Sequence, residues 1–242
     1  ENPSVYYGGE SLDNSSVIIP RIGASVTSYG TAVVRQFELM GCYCVNTSDA
    51  ILNSRDKLKA LQILSNRGIS LPDTGFASHT KDIEGVIEKV GSVPLVMKLL
   101  QGTQGHGVVL AETRKAALAV MSAFRQLDAD IMVQEFIKES AGTDIRALVV
   151  GDEVVASMRR IAPRGEFRSN LHQGGEMVPI KLTDRERRIA VDAARILKLS
   201  IAGVDFMRSE RGPLVLEVNS SPGLQGIETC SGVDIAKKIF QF

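Results

Sequence analysis

The most constraining stretch of the chain is Leu214-Val-Leu-Glu217-Val-Asn219, which runs directly into Ser-Ser-Pro-Gly223. In a strand, Val215, Glu217 and Asn219 alternate with Leu214, Leu216 and Val218, so a carboxylate and an amide stand side by side on one face. The Ser-Ser-Pro-Gly that follows demands a sharp turn. A second apolar run, Ile201-Ala-Gly-Val-Asp205-Phe-Met207, lies just upstream, and Ser209-Glu-Arg-Gly212 reads as the hairpin turn between the two. Folded this way, Asp205, Glu217 and Asn219 bring three hard oxygen donors to one end of a sheet, the ligand type that suits Mg²⁺ or Mn²⁺. Acidic residues on strands are more often a solvated face. A magnesium site with few protein oxygens completes its shell with substrate phosphates and water, so the metal reading requires a phosphate cradle elsewhere in the chain.

The segment that fits a cradle is Gly102-x-x-Gly105-x-Gly107, set between the β-like runs Pro94-Leu-Val-Met-Lys98-Leu-Leu100 and Val108-Val-Leu-Ala111. A dinucleotide fingerprint or a Walker loop would open a helix, and this one does not. A glycine-rich turn between two strands can instead fold over phosphates and offer backbone N–H groups. Lys98 enters that turn between the apolar Met97 and Leu99, a setting that calls for an anion, against the alternative of a lysine that snorkels to the surface. Lys57, taken alone, reads as a surface helix residue. Gln134-Glu135-Phe136-Ile137 ends a strand shortly before Asp144, the order expected when backbone groups and carboxylates read an adenine and then a ribose.

The remaining pattern alternates strands and helices. Residues 1–47 read as the end of an α/β unit: a strand at Val17-Ile-Ile19, a helix over residues 31–40 with Val33, Val34, Phe37 and Met40 at core spacing, and a short strand Tyr43-Cys-Val45. The chain starts at Glu1 and reaches a strand almost at once, so an N-terminal truncation is expected, with further strands upstream or from another chain. A single helix is expected over residues 47–67, carrying Ala50, Ile51, Leu58, Leu61 and Leu64 and stopping at Arg67-Gly68. Strands follow at residues 72–77, 94–100, 108–111 and 131–137, with helices at 81–90 and 114–127. A hairpin turning at Gly151-Asp152 joins strands beginning at Asp144 and Glu153. Residues 164–175 form a polar, glycine-rich loop, and Thr183-Asp-Arg-Glu186 is a capping box opening a helix to residue 197.

The 242 residues carry 28 basic and 28 acidic side chains, so no global charge argues for nucleic acid or a membrane surface. No apolar run is long enough to span a bilayer, and no signal peptide is expected. Cys42, Cys44 and Cys230 are odd in number and lack zinc spacing, which fits a reduced, cytoplasmic protein.

Lys57, Lys98 before the glycine-rich loop, Gln134-Glu135, Asp144-Ile-Arg146, Arg168-Ser-Asn170-Leu-His-Gln-Gly174-Gly175, Asp205 and Glu217-Val-Asn219-Ser-Ser-Pro-Gly resemble, in content and order, the ATP-grasp carboxylate–amine ligases. The stretches Ile19-Pro-Arg-Ile-Gly23, Gly102-Thr-Gln-Gly105, Phe167-Arg-Ser-Asn-Leu-His172 and Gly203-Val-Asp205 are similar to the RimK group within them. The resemblance implies an α/β protein, α+β by segment, with the ATP-grasp fold: two α+β domains clasping ATP behind a remnant Rossmann-like N-terminal domain. The expected division is residues 1–47 for that remnant, 48–70 for a linking helix, 71–135 for a central lid and 136–242 for a metal-binding domain.

The resemblance also implies roles. Lys57, Lys98, Gly102, Gly105 and Gly107 would hold the phosphates, Glu135, Phe136 and Ile137 the adenine, and Asp144 the ribose, with Arg168, Ser169 and Asn170 also at the nucleotide. Asp205, Glu217 and Asn219 would bind two Mg²⁺ or Mn²⁺. A carboxylate would attack the γ-phosphate to give an acyl phosphate and ADP, and the amine of glutamate would displace phosphate. Negative charge develops in both steps, and Arg146, Arg168 and Asn170 are the candidate stabilisers. Arg159 and Arg160 read as ordinary surface charges, one of which could meet a substrate carboxylate. His172 is a weak candidate base, and His79 and the cysteines have no partners at catalytic spacing. The implied partners are glutamate and a ribosomal small-subunit protein as acceptor, in a homotetramer, with no nucleic acid and no membrane. Glutamate ligation to a small molecule or to poly-α-glutamate, or a non-catalytic nucleotide-binding module, are the competing readings.

Overall fold

The computed structural model describes residues 3–77, 83–100, 107–126, 130–169 and 175–242. Two short exposed strands, β1 (Tyr6–Tyr7) and β2 (Glu10–Ser11), form a hairpin ahead of β3 (Val17–Ile18), α1 (Thr27–Leu39) and β4 (Tyr43–Cys44). Strands β3 and β4 pair in parallel, and Val34, Phe37, Cys44 and Ile51 make a small core beneath α1. The one helix expected over residues 47–67 is two, α2 (Ser48–Arg55) and α3 (Lys57–Asn66). Asp56 breaks it: its backbone leaves helical geometry at φ −78° and ψ 102°, and its carboxylate accepts the Lys59 N–H at 2.9 Å as the cap of α3. Arg55 and Lys57 therefore end one helix and begin the next.

A four-stranded antiparallel sheet follows, built from β5 (Thr74–Ala77), β6 (Leu95–Leu99), β7 (Val108–Ala111) and β8 (Ile131–Glu135) in the order β5-β8-β6-β7. Helices α4 (Ile83–Val90) and α5 (Arg114–Gln126) cover one face, where Ile87 and Met121 pack on Leu95, Met97, Ile131 and Val133. Period-two alternation sends Thr74, Lys98 and Gln134 to the opposite face.

The C-terminal half is a five-stranded antiparallel sheet, order β11-β10-β9-β12-β13, from β9 (Thr143–Val150), β10 (Glu153–Ile161), β11 (Glu176–Pro179), β12 (Ile201–Ser209) and β13 (Gly212–Asn219). Helix α6 (Asp184–Ile196) opens with both bonds of the Thr183–Glu186 capping box and packs Ala190, Ala193 and Ala194 on Ala147, Val204 and Phe206. Helices α7 (Gln225–Ser231) and α8 (Ile235–Gln241) cover one end of the other face, where Ile227 and Ile235 meet Leu148 and Met158. Asp144 and Arg146 of β9, Arg160 of β10 and Asp205 of β12 share that second face beyond the reach of α7 and α8. Strand β11 and the two seven-residue helices were not anticipated, because segments this short carry too few apolar positions to show a period. Among the described residues, no helix is long and apolar enough to cross a membrane.

Candidate active site

Register places the oxygen cluster. Across β12 and β13, Asp205 stands opposite Glu217 and Gly203 opposite Asn219, while across β12 and β9 Asp205 stands opposite Arg146. The amide of Asn219 donates to Glu217 Oε1 at 3.1 Å. The expected alternation is corrected at one point: Phe206 pairs with Val215, which leaves Leu216 as a bulge residue. Val215 therefore joins Phe206 and Val218 in the core under α6, and Glu217 turns to the other face instead of sharing one with Val215. Without the bulge, Glu217 and Val215 would point the same way.

Behind this cluster lies a buried ion network. Arg146 forks onto Asp205, Nε to Oδ1 at 2.7 Å and Nη2 to Oδ2 at 2.6 Å. Arg160 reaches Asp205 Oδ2 at 2.8 Å through Nη2 and Asp144 Oδ1 at 2.6 Å through Nε, and its Nη2 also donates to Asp144 Oδ2. The expectation for Arg160 is thereby corrected. It is 7 % exposed and stands directly opposite Asp144, on the charged face of β10, while Arg159 points to solvent. Two guanidiniums and two carboxylates make the network neutral, which is how four charges can be buried together.

Burial pushes the Asp205 carboxyl up, but Arg146 and Arg160 together outweigh it and hold the group at about 2. Burial prevails at Asp144, which shares only Arg160 and the Ser169 hydroxyl, so its pKa is raised. The Arg160 guanidinium is lowered by burial and raised further by Asp205 and Asp144, with a net upward shift. Asp144, expected at a ribose, thus has both oxygens engaged and reaches a ligand only with its remaining lone pairs.

Across the cleft stands Lys98. Its Nζ donates to Gln134 Oε1 at 2.7 Å, and Gln134 Nε2 donates to Thr74 Oγ1 at 3.0 Å. Burial lowers the Lys98 pKa, Lys57 lowers it further, and Glu217 and Asp144 oppose the change. The fold therefore brings Lys57, Lys98, Asp144 and Glu217 within electrostatic reach of one another. Gly107 closes the β6–β7 turn at φ +74°, with Leu99 only 2.8 Å from where a Cβ would stand. Gly102, Gly105, Asn170, His79, His106 and His172 lie outside the described residues.

Two expected residues are held by partners that the sequence did not announce. Arg168 pairs with Glu166 at 3.0 Å through Nε and 2.7 Å through Nη2, and it stacks 5.7 Å from the Phe167 ring centre. Its hydrogen bonds, chiefly the side-chain one, pull Glu166 down to about 2. Glu135 Oε1 accepts the Asp73 N–H at 2.7 Å and a bond from Arg211. Its side chain thus fastens the strand end, and the backbone of Phe136 and Ile137 carries on toward β9.

The N-terminal segment docks on the turn after β13. Arg21 donates to the Pro222 carbonyl at 2.6 Å, and Ser221 Oγ accepts the Ile22 N–H at 3.2 Å. Asn46, buried and not singled out from sequence, donates to the carbonyls of Ile201 at 2.8 Å and Ser220 at 3.1 Å and accepts the N–H groups of Ser200 and Ile201.

Among the described residues no three His, Cys, Asp or Glu side chains form a metal cage. The Asp205–Glu217–Asn219 set has two carboxylates and an amide. Its chemistry nevertheless fits a hard divalent cation: Glu217 projects from the sheet, and Asp205 Oδ1 accepts only one of the three bonds its carboxylate receives.

A sheet bearing Asp205, Glu217 and Asn219, faced by a second sheet bearing Lys98 with Lys57 nearby on α3, is the arrangement of an ATP-grasp ligase, and solved structures share the fold. The ATP-grasp ligase PsnB, complexed with a minimal precursor, superposes with a TM-score of 0.76 at 22 % identity over 100 % of this chain and 83 % of that one. A RimK domain protein from Sphaerobacter thermophilus gives 0.72 at 22 % over 94 % and 81 %. Residues 54–242 match the RimK-like ATP-grasp domain and residues 1–51 the RimK PreATP-grasp domain, so the chain belongs to the RimK family of ATP-grasp α-L-glutamate ligases. A probable alpha-L-glutamate ligase of Picosynechococcus sp. is 61 % identical over 240 residues, covering 99 % of this chain and 80 % of that protein. One from Aliivibrio fischeri is 60 % identical over 242 residues, covering 100 % and 80 %.

Proposed function

We propose that the chain uses ATP to join glutamate to the C-terminal carboxylate of a ribosomal small-subunit protein in the cytoplasm. The observation that carries the reading is Lys98, whose ammonium is bonded to a neutral amide and faces Glu217 across the cleft, beside Lys57. Two cations opposite hard oxygens form a clamp for a polyphosphate. Asp205, Glu217 and Asn219 would hold one or two Mg²⁺ or Mn²⁺, which when bound neutralise the phosphate oxygens.

An oxygen of the acceptor carboxylate attacks the γ-phosphorus, the bond to ADP breaks, and an acyl phosphate forms. The glutamate amine then attacks the acyl carbon, phosphate leaves, and the amine proton is lost to solvent. Lys57 and Lys98 draw charge from the transferring group in the first step. Arg146 acts through Asp205, fixing its orientation, and is a positioning residue, whereas Arg168 can turn toward the phosphates by exchanging Glu166 for them. The backbone of Phe136 and Ile137 lies at the end of β8, where an adenine would insert between the two sheets.

The test is ADP release with ATP, Mg²⁺ and glutamate, with and without a ribosomal small-subunit protein fraction, followed by intact-mass measurement. Mass gains in multiples of a glutamyl residue on one protein support the proposal. ADP release with glutamate alone and no gain on any protein assigns the acceptor to a small molecule or a growing poly-α-glutamate chain and overturns the ribosomal part.

A further inference from the structure

A cleft of about 210 Å³ lies beside the oxygen cluster, lined by residues 22–24, by Ser54 and Arg55 at the end of α2, and by residues 218–221. It is smaller than the roughly 300–1,000 Å³ of drug-sized sites, and Asn219 in its wall sets it against the reacting centre. Two groups in the lining lack the partners that burial demands. Arg55 is half-buried, and one of its Nη atoms donates to the Ile22 carbonyl. Burial pulls its pKa down and no carboxylate offsets the shift, unlike Arg146, Arg160 and Arg168, whose acidic partners raise theirs. A guanidinium has five N–H donors, so Arg55 keeps a fork for a planar anion. Ser220 is 2 % exposed, and its hydroxyl has no hydrogen-bond partner, the one such buried side-chain atom among the described residues. Asn46 anchors the Ser220 carbonyl, which keeps the residue in place.

We propose that this cleft receives the incoming glutamate, with one of its carboxylates held by the Arg55 guanidinium and hydrogen-bonded by the Ser220 hydroxyl. The proposal rests on the ligase reading above. The acceptor carboxylate is the poorer occupant, because it loses its charge on phosphorylation and a fixed guanidinium would favour the ground state over the transition state. The carboxylates of glutamate stay ionised while its amine reacts, so a cation that grips one of them opposes neither step.

The experiment titrates glutamate into the full chain by calorimetry, with Mg²⁺ and a non-hydrolysable ATP analogue present, alongside steady-state ADP release. Arg55→Gln is expected to weaken glutamate binding at least tenfold and to raise the KM for glutamate equally, leaving kcat and the KM for ATP within twofold, with Arg55→Lys recovering part of the loss. Ser220→Ala is expected to weaken glutamate binding severalfold without lowering the melting temperature, because the hydroxyl removed had no partner. Glutamate affinity unchanged in a folded Arg55→Gln overturns the proposal, and if that variant does not fold, unchanged affinity in Ser220→Ala overturns it. Wild-type chain that binds glutamate but releases no ADP with any acceptor would sink the ligase reading and leave the site standing. Turnover with an unaltered glutamate KM in both variants would do the reverse.

Discussion

Replacing Arg160 with methionine isolates the buried network. Arg160 links Asp144 and Asp205, and its loss leaves Asp205 with the fork of Arg146 but leaves Asp144, 7 % exposed, with only the Ser169 hydroxyl. Removing one member of a buried pair costs about 3–5 kcal/mol. In a chain of this size about 1 kcal/mol corresponds to roughly 2–4 °C, so the melting temperature should fall by roughly 6–20 °C. The deficit should also depend on pH. The Asp144 pKa, already raised in the fold, rises further without Arg160. The folded variant then keeps a proton that the unfolded chain gives up above about pH 3.9, so its stability falls as pH increases from there until the folded pKa is passed. The deficit should be small near pH 4 and complete where Asp144 is ionised in both states. Urea unfolding followed by circular dichroism at pH 4.5, 6 and 8 measures this, and Asp144→Leu combined with Arg160→Met should recover most of the loss. A deficit under about 1 kcal/mol, or one that does not grow with pH, would refute the assignment of the network as a coupled, buried unit.

Glu217→Gln should reduce turnover on the order of 10³-fold with the melting temperature held, and a variant that retains ligase activity removes Glu217 from the metal set. Lys98→Met should weaken nucleotide binding on the order of tenfold or more without loss of stability, since a buried cation bonded to a neutral amide is exchanged for an apolar chain; calorimetry with ATP reads the first and thermal unfolding the second. Asp205 is held at about 2, below its ordinary 3.8, so its contribution to stability is present above pH 3.8 and lost as pH falls toward 2. Acid unfolding of Asp205→Asn should therefore lack part of the wild-type loss below pH 4. Asp56→Ala removes the cap of α3 and should cost about 1 kcal/mol, with little effect if α2 and α3 can run on as one helix.

Elements with a strong local signal were legible. The Thr183–Glu186 capping box, the Gly151-Asp152 hairpin and the paired strands that carry Asp205 and Glu217 stand where period and turn chemistry put them. The cap at Asp56 is not legible in the sequence, because a cap inside an apolar-periodic run looks like any other polar helix residue until its backbone dihedrals are known. Arg160 reads as a surface charge in the sequence because alternation gives its face but not what lies across the sheet. Opposite Met177 of β11 alone it would be a solvated charge, and opposite Asp144 of β9 it is the keystone of the site.

By itself the sequence determined the residue types: hard oxygens on a hairpin, a lysine entering a glycine-rich turn, and the motif order that marks an ATP-grasp ligase. These depend on neighbours within a few positions, and the chain alone fixes them. Only the tertiary structure decided which charges neutralise one another, that a bulge at Leu216 turns Glu217 away from Val215, and that Arg55 and Ser220 share a cleft across 165 positions of chain. Those outcomes depend on register and on burial between distant strands, and the energy of a buried charge is set by the partner it meets in space.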